Sequence, residues 1–75
     1  MLFRSKQALG QRVATLRRAK GLSQDVLGEK SHYSTEFISL VERGVNAPSV
    51  EGLYRIASAL GVQVRDLFDF GGGVR

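Results

Sequence analysis

The stretch GLSQDVLGEKSHYSTEFISLVERG, residues 21–44, is punctuated as two short helices with a tight turn between them. Gly21 is followed at once by Leu22 and Gly44 by Val45, and the pattern returns at Gly61 and Val62. A glycine followed by an apolar residue is how a helix stops, the glycine left-handed and the next side chain folded back on the last turn. The starts are as legible. Ser23, Ser34 and Ser49 each stand where a hydroxyl accepts from the free N–H groups of a first turn, and each has an acid two residues later, at Asp25, Glu36 and Glu51. Leu22 with Leu27, and Tyr33 with Ile38, have the spacing of a hydrophobic staple. The connection Ser31, His32, Tyr33, Ser34 then forces a sharp crossing that presents the second helix outward.

Outward from this stretch, helices are expected over residues 6–20, 24–31, 35–43, 50–60 and 64–68, with no strand. The fold class is therefore all-α, with five short helices. Leu9, Val13 and Leu16 form one apolar stripe, Ile38 and Val41 a second, and Leu53, Ile56, Ala57 and Leu60 a third; all are assigned to the core. Gly28 sits where the two helices of the turn are expected to approach most closely. Glycines 71–73 read as a flexible tail or the stub of a linker, which leaves one domain over 1–70 and a tail over 71–75.

A chain of 75 residues suffices for a single cooperative domain, which at this size buries about 60% of its unfolded surface. With no cysteine, neither a disulfide nor a thiolate metal site supports it, which suits a reducing cytoplasm. No apolar run approaches the roughly 18 residues of a membrane span, and the first ten residues carry Arg4 and Lys6 but no signal-peptide apolar stretch, so the expectation is a soluble, unexported protein with no membrane partner. The net charge is +4, unevenly placed: Arg4, Lys6, Arg12, Arg17, Arg18 and Lys20 share the first 20 residues with no acid, and the remainder is net −2. Such a segment supplies attraction to phosphates, or is simply a solvated helix face. No nucleophile with a base, metal cluster or phosphate-cradling glycine loop appears, so catalysis, metal binding, a cofactor and a small-molecule ligand are not expected. His32, alone among titratable partners, reads as a turn residue.

Gly21-Leu22-Ser23-Gln24, Leu27-Gly28, Ile38-Ser39, Val41-Glu42-Arg43-Gly44 and Pro48-Ser49, in this order and spacing, resemble the core pattern of Cro/repressor-type (XRE-like) helix-turn-helix regulators. The similarity runs from about Leu9 to Phe68. It implies a compact lambda-repressor-like DNA-binding domain whose helices two and three form the helix-turn-helix, and a transcriptional regulator, repressor or controller, that reads double-stranded DNA as a homodimer on a two-half-site operator. The rival function for the same fold is a protein-interaction or dimerisation module that does not bind DNA, such as an antitoxin-like partner domain.

The resemblance also assigns roles. It places base contacts at Thr35, Glu36 and Leu40 with Ser39 close by, the positions also left over once Ile38, Val41 and Glu42 turn inward. Arg17 and Glu42 each follow an inward-facing residue by four, and in the family the corresponding pair forms a partly buried ion pair; a structural role is assigned to both, with a phosphate contact by Arg17 the secondary reading. By family correspondence Gln24 touches the DNA backbone and braces the first recognition residue. Two departures stand out: His32 occupies a turn position where the family commonly has glycine, and the loop after the third helix lacks the usual basic residue, leaving Arg43 and Asn46 as the phosphate contacts. Val64, Leu67, Phe68 and Phe70 crowd more apolar surface into the last segment than so small a core is expected to bury, and are assigned to a dimer interface.

Overall fold

The computed structural model describes residues 2–70, with side chains from residue 6 onward. The expected tail over 71–75 and the side chain of Arg4 lie outside the described residues. The order is α1 (Leu2–Ala19), α2 (Gln24–Ser31), α3 (Thr35–Glu42), α4 (Val50–Leu60) and a 3-10 helix (Val64–Phe68), with no strand among the described residues. None of these helices is long and apolar enough to cross a membrane.

Two expectations are corrected here. There are four α-helices, not five: the last element closes through i→i+3 bonds, from Asp66 N to the Gln63 carbonyl at 2.9 Å and from Asp69 N to the Asp66 carbonyl at 3.4 Å. Five residues are too few for the α-helical ladder to offset the cost of its first turn, and the tighter form suffices for a connector. The second correction concerns boundaries. α1 begins four residues earlier than expected, since neither glycine nor proline interrupts residues 2–6, and α3 ends at Glu42, with Arg43 as its C-cap.

The helix ends otherwise form as their residues dictate. Ser23, Ser34 and Ser49 accept from the backbone N–H groups of Val26, Phe37 and Gly52 at 3.1, 3.0 and 3.0 Å. Gly21, Gly44 and Gly61 have φ of 72, 78 and 73°. Each is followed by a residue whose N–H reaches back to the helix, as Leu22 N does to the Arg17 carbonyl at 3.0 Å. The same closure ends α2 without a glycine: His32 has φ 64° and ψ 38°, and Tyr33 N donates to the Gly28 carbonyl at 2.8 Å. A non-glycine residue held left-handed costs about 1 kcal/mol or more. His32→Gly is therefore expected to stabilise the fold by about 0.5 kcal/mol, strain relief being partly offset by the greater freedom of an unfolded glycine. Urea unfolding measures this, and a destabilised variant would mean that the histidine side chain contributes contacts beyond the turn.

The core joins Leu9 and Val13 of α1, Leu27 of α2, Ile38 of α3, Ile56, Ala57 and Leu60 of α4, and Leu67 of the 3-10 helix. Val41 is buried as expected, whereas Leu16 and Leu53 are only partly covered. Arg12 ties the ends of the chain together, its Nε donating to the Asp66 carbonyl at 2.8 Å. Among the glycines, the closest approach to the backbone of another helix is at Gly10 in α1, where a Cβ would collide with the Val41 carbonyl oxygen and lie 2.7 Å from that of Glu42. At Gly28 a Cβ would instead meet the Tyr33 carbonyl, at 2.7 Å, so this glycine makes room for the turn rather than for the partner helix. Tyr33 secures that turn: Phe37 stacks on its ring at 4.4 Å, and Arg55 of α4 lies 4.7 Å over it while donating to the Ser31 carbonyl at 2.8 Å.

Candidate nucleic-acid interface

α3 buries Ile38 and Val41, so its opposite face is turned to solvent. Thr35, Glu36 and Arg43 are exposed there, with Ser39 and Leu40 partly covered. The exposed start of α3 is thus polar, and Phe37, its largest apolar side chain, is partly buried against Tyr33.

The start of α2 braces both ends of α3. Glu42 sits at the centre of one brace, accepting from Arg17 Nε at 2.7 Å and Nη2 at 3.0 Å, and from Gln24 Nε2 at 2.9 Å. Arg17 Nη1 donates to the Leu22 carbonyl at 2.9 Å, so three of its five N–H donors are held within the protein. The two side chains are 11% and 6% exposed. Hydrogen bonding to Glu42 raises the Arg17 pKa above its usual value, against the opposing effect of burial. These bonds favour the structural role of Arg17 over its use as a phosphate contact. They also move Gln24 from its expected place: its amide steadies the end of α3, not the first recognition residue. Thr35 is steadied by Asp25 instead, its hydroxyl donating to the Asp25 carboxylate.

Beside this brace the ends of α1 and α3 and the start of α2 enclose a shallow cleft lined by Gln11, Thr15, Arg18, Gln24, Ser39 and Arg43, among others. Arg18 and Arg43 are exposed at it, and neither guanidinium group has a hydrogen bond or ion pair among the described residues. Two cations beside the polar face of a helix that follows a tight turn are the layout of a protein that docks on a charged backbone and reads beyond it.

A family of helix-turn-helix domains matches residues 8–69, most of the chain. The chain belongs to the helix-turn-helix family. A relative from Sinorhizobium fredii, the uncharacterized HTH-type transcriptional regulator y4dJ, is 42% identical over 57 residues, covering 76% of this chain and 74% of its own. Among solved structures, the restriction-modification controller protein C.AhdI of Aeromonas hydrophila superposes with a TM-score of 0.85 at 36% identity, over 88% of this chain and 100% of that one. SinR, the master regulator for biofilm formation, solved in complex with DNA, is similar with a TM-score of 0.76 at 34% identity, over 81% of this chain and 98% of that one. The resemblance drawn from the motif residues is thereby borne out.

Within this helix-turn-helix protein, one interface assignment changes. Leu67 is fully buried among core side chains, so it is not available to a dimer interface; the last segment docks on α1 and α4 and fills the space they leave. Val64 also packs against the core in part, while Phe68 and Phe70 are 43% and 49% exposed and meet edge to face at 6.2 Å. The residue missed by sequence reasoning is Arg18. In the chain it is one cation of six in a basic segment; the inward phase of Arg17 is legible there, but nothing local marks Arg18 as the cation left facing a cleft.

Proposed function

We propose that this protein is a cytoplasmic transcriptional regulator that binds duplex DNA sequence-specifically through α3 as a homodimer, with no catalytic role. The observation that carries the reading is the polar outward face of α3 flanked by the unpartnered guanidinium groups of Arg18 and Arg43. A helix-turn-helix presents such a face to the major groove while cations at its margin hold phosphates. Thr35, Glu36, Ser39 and Leu40 are the base-facing residues. Arg18, Arg43, Asn46 and the start of α2 around Gln24 form the backbone contacts. A protein-docking face on α3 would require several large exposed apolar side chains at helical spacing, and here only Leu40 is placed to supply one.

Binding measured against salt tests this. Each neutralised phosphate contributes about −0.9 to the slope of log affinity on log salt, so Arg18→Ala and Arg43→Ala should each weaken all duplexes alike and flatten the slope by about one contact. Glu36→Ala should instead change preference at one or two base pairs per half-site, by about 1–3 kcal/mol each, while raising affinity for random duplex. A salt-independent affinity would overturn the proposal, and so would a Glu36→Ala variant with an unaltered ranking of sites.

Dimerisation rests on the apolar surface left uncovered: Phe68 and Phe70 in the last segment, with Val64 partly covered, and Val50 with Tyr54, which are 71% and 63% exposed and one turn apart on α4. Two α3 helices would then meet half-sites about 34–36 Å apart. Sedimentation should show a dimer on the operator that Phe68→Glu with Phe70→Glu reduces to a monomer; a monomer for the unmodified chain, free and bound, would refute it.

A further inference from the structure

We propose that Asp25 fixes the sense in which Thr35 reads DNA, so that the base facing Thr35 carries an exocyclic amino group, as cytosine and adenine do. The inference rests on the DNA-binding reading above and specifies what that interface selects. Asp25 lies in the first turn of α2 and Thr35 begins α3; the left-handed turn at His32 brings these exposed residues together. Thr35 Oγ1 and an Asp25 carboxylate oxygen are hydrogen-bonded. A carboxylate only accepts, so the single hydroxyl proton belongs to this bond, and lone pairs are all that Thr35 retains for another partner. The branched Cβ restricts χ1 and so holds the oxygen in place, while the bond to Asp25 directs its proton.

Glu36, the next residue, is exposed, and its carboxylate has no partner among the described residues and presents acceptors as well. The side chains of Thr35 and Glu36 therefore offer acceptors alone. In the major groove cytosine N4 and adenine N6 donate, whereas guanine N7 and O6 and thymine O4 accept. Acceptors facing acceptors repel, and the charges of Asp25 and Glu36 sharpen that repulsion. The same charges weaken attraction to phosphates, so the two carboxylates exchange general affinity for discrimination between bases.

Selection from a random-sequence duplex pool, run with the full chain and with Asp25→Asn, Thr35→Val and Thr35→Ser, tests this. The base pair whose preference vanishes in Thr35→Val locates the contact. There the unmodified protein should favour cytosine or adenine on the contacted strand by about tenfold, and Thr35→Ser should keep that preference. The side-chain amide introduced by Asp25→Asn is able to donate to Thr35 and free its proton, so discrimination should fall to about threefold or less while affinity for the whole pool rises. A bond that merely held α2 on α3 would lower binding to every duplex and leave the preferred base unchanged. Guanine or thymine preferred at that position by the unmodified protein, or an Asp25→Asn variant with the original preference, overturns the inference and leaves DNA binding standing. A pool without any enriched duplex overturns both.

Discussion

Replacing Glu42 by alanine is expected to destabilise the fold by about 3 kcal/mol, the lower end of the range for stranding one member of a buried ion pair. The substitution removes the acceptor of three hydrogen bonds and leaves the Arg17 guanidinium, 11% exposed, facing a void. The lower end applies because the cleft beside the pair opens to solvent and lets water reach the stranded charge. A domain of this size has on the order of 4–11 kcal/mol in total, so the loss is a large share of it. At about 4–8 °C for each kcal/mol, thermal unfolding followed by circular dichroism should show Tm lower by about 12–24 °C. A double-mutant cycle with Arg17→Ala isolates the pair. Coupling of about 1–3 kcal/mol is expected, and simple additivity would mean that the two side chains do not interact in solution.

Gly10→Ala should be more disruptive still, and against what helix propensity indicates. In an exposed helix interior, alanine would stabilise by about 1 kcal/mol relative to glycine. Here the added Cβ would occupy the place of the Val41 carbonyl oxygen and lie 2.9 Å from the Glu42 carbonyl carbon. These are backbone atoms of the last turn of α3, which cannot rotate aside as a side chain would. α1 and α3 must separate, which opens the packing of Leu9 and Val13 against Ile38 and pulls Arg17 from Glu42. A net loss of about 3 kcal/mol or more is expected, at or beyond the upper end of overpacking in cores. Gly21→Ala provides the comparison: nothing lies within 4 Å of its added Cβ, so only the strain of φ 72° remains, about 1 kcal/mol. Urea unfolding ranks the two, and a Gly10→Ala protein as stable as the unmodified chain would show that the helices do not approach this closely.

The expectations that hold concern features set by neighbours in the chain. Ser23, Ser34 and Ser49 cap because a hydroxyl beside a first turn finds an N–H three residues on, wherever the helix later packs. His32 adopts the left-handed turn because α2 and α3 are too close in sequence for any wider path. Arg17 and Glu42 are visible as opposite charges on inward phases, and the family pattern supplies their pairing.

The expectations that fail need distances that no local pattern contains. Leu67 reads as surplus apolar surface because its burial depends on the space left between α1 and α4, which exists only once those helices are packed. Gly28 is expected to make room for the partner helix, yet it faces the Tyr33 carbonyl, and the carbonyls that crowd Gly10 lie more than 30 positions away along the chain. Gln24 is expected beside the first recognition residue, yet its amide reaches Glu42 and leaves Thr35 to Asp25.

The sequence by itself determined, to within one residue, where each of the first four helices stops and which of their faces turn inward, because capping bonds span three to five residues and side-chain phase repeats every turn. Which cations remain free to meet a phosphate was decided only by tertiary structure. Arg12 is drawn onto the Asp66 carbonyl and Arg17 onto Glu42, while Arg18, one residue further round α1, faces the open cleft with Arg43. A charged side chain pairs with whatever the packed helices bring within about 3 Å of it, and that neighbour is fixed by the crossing of the helices rather than by position along the chain.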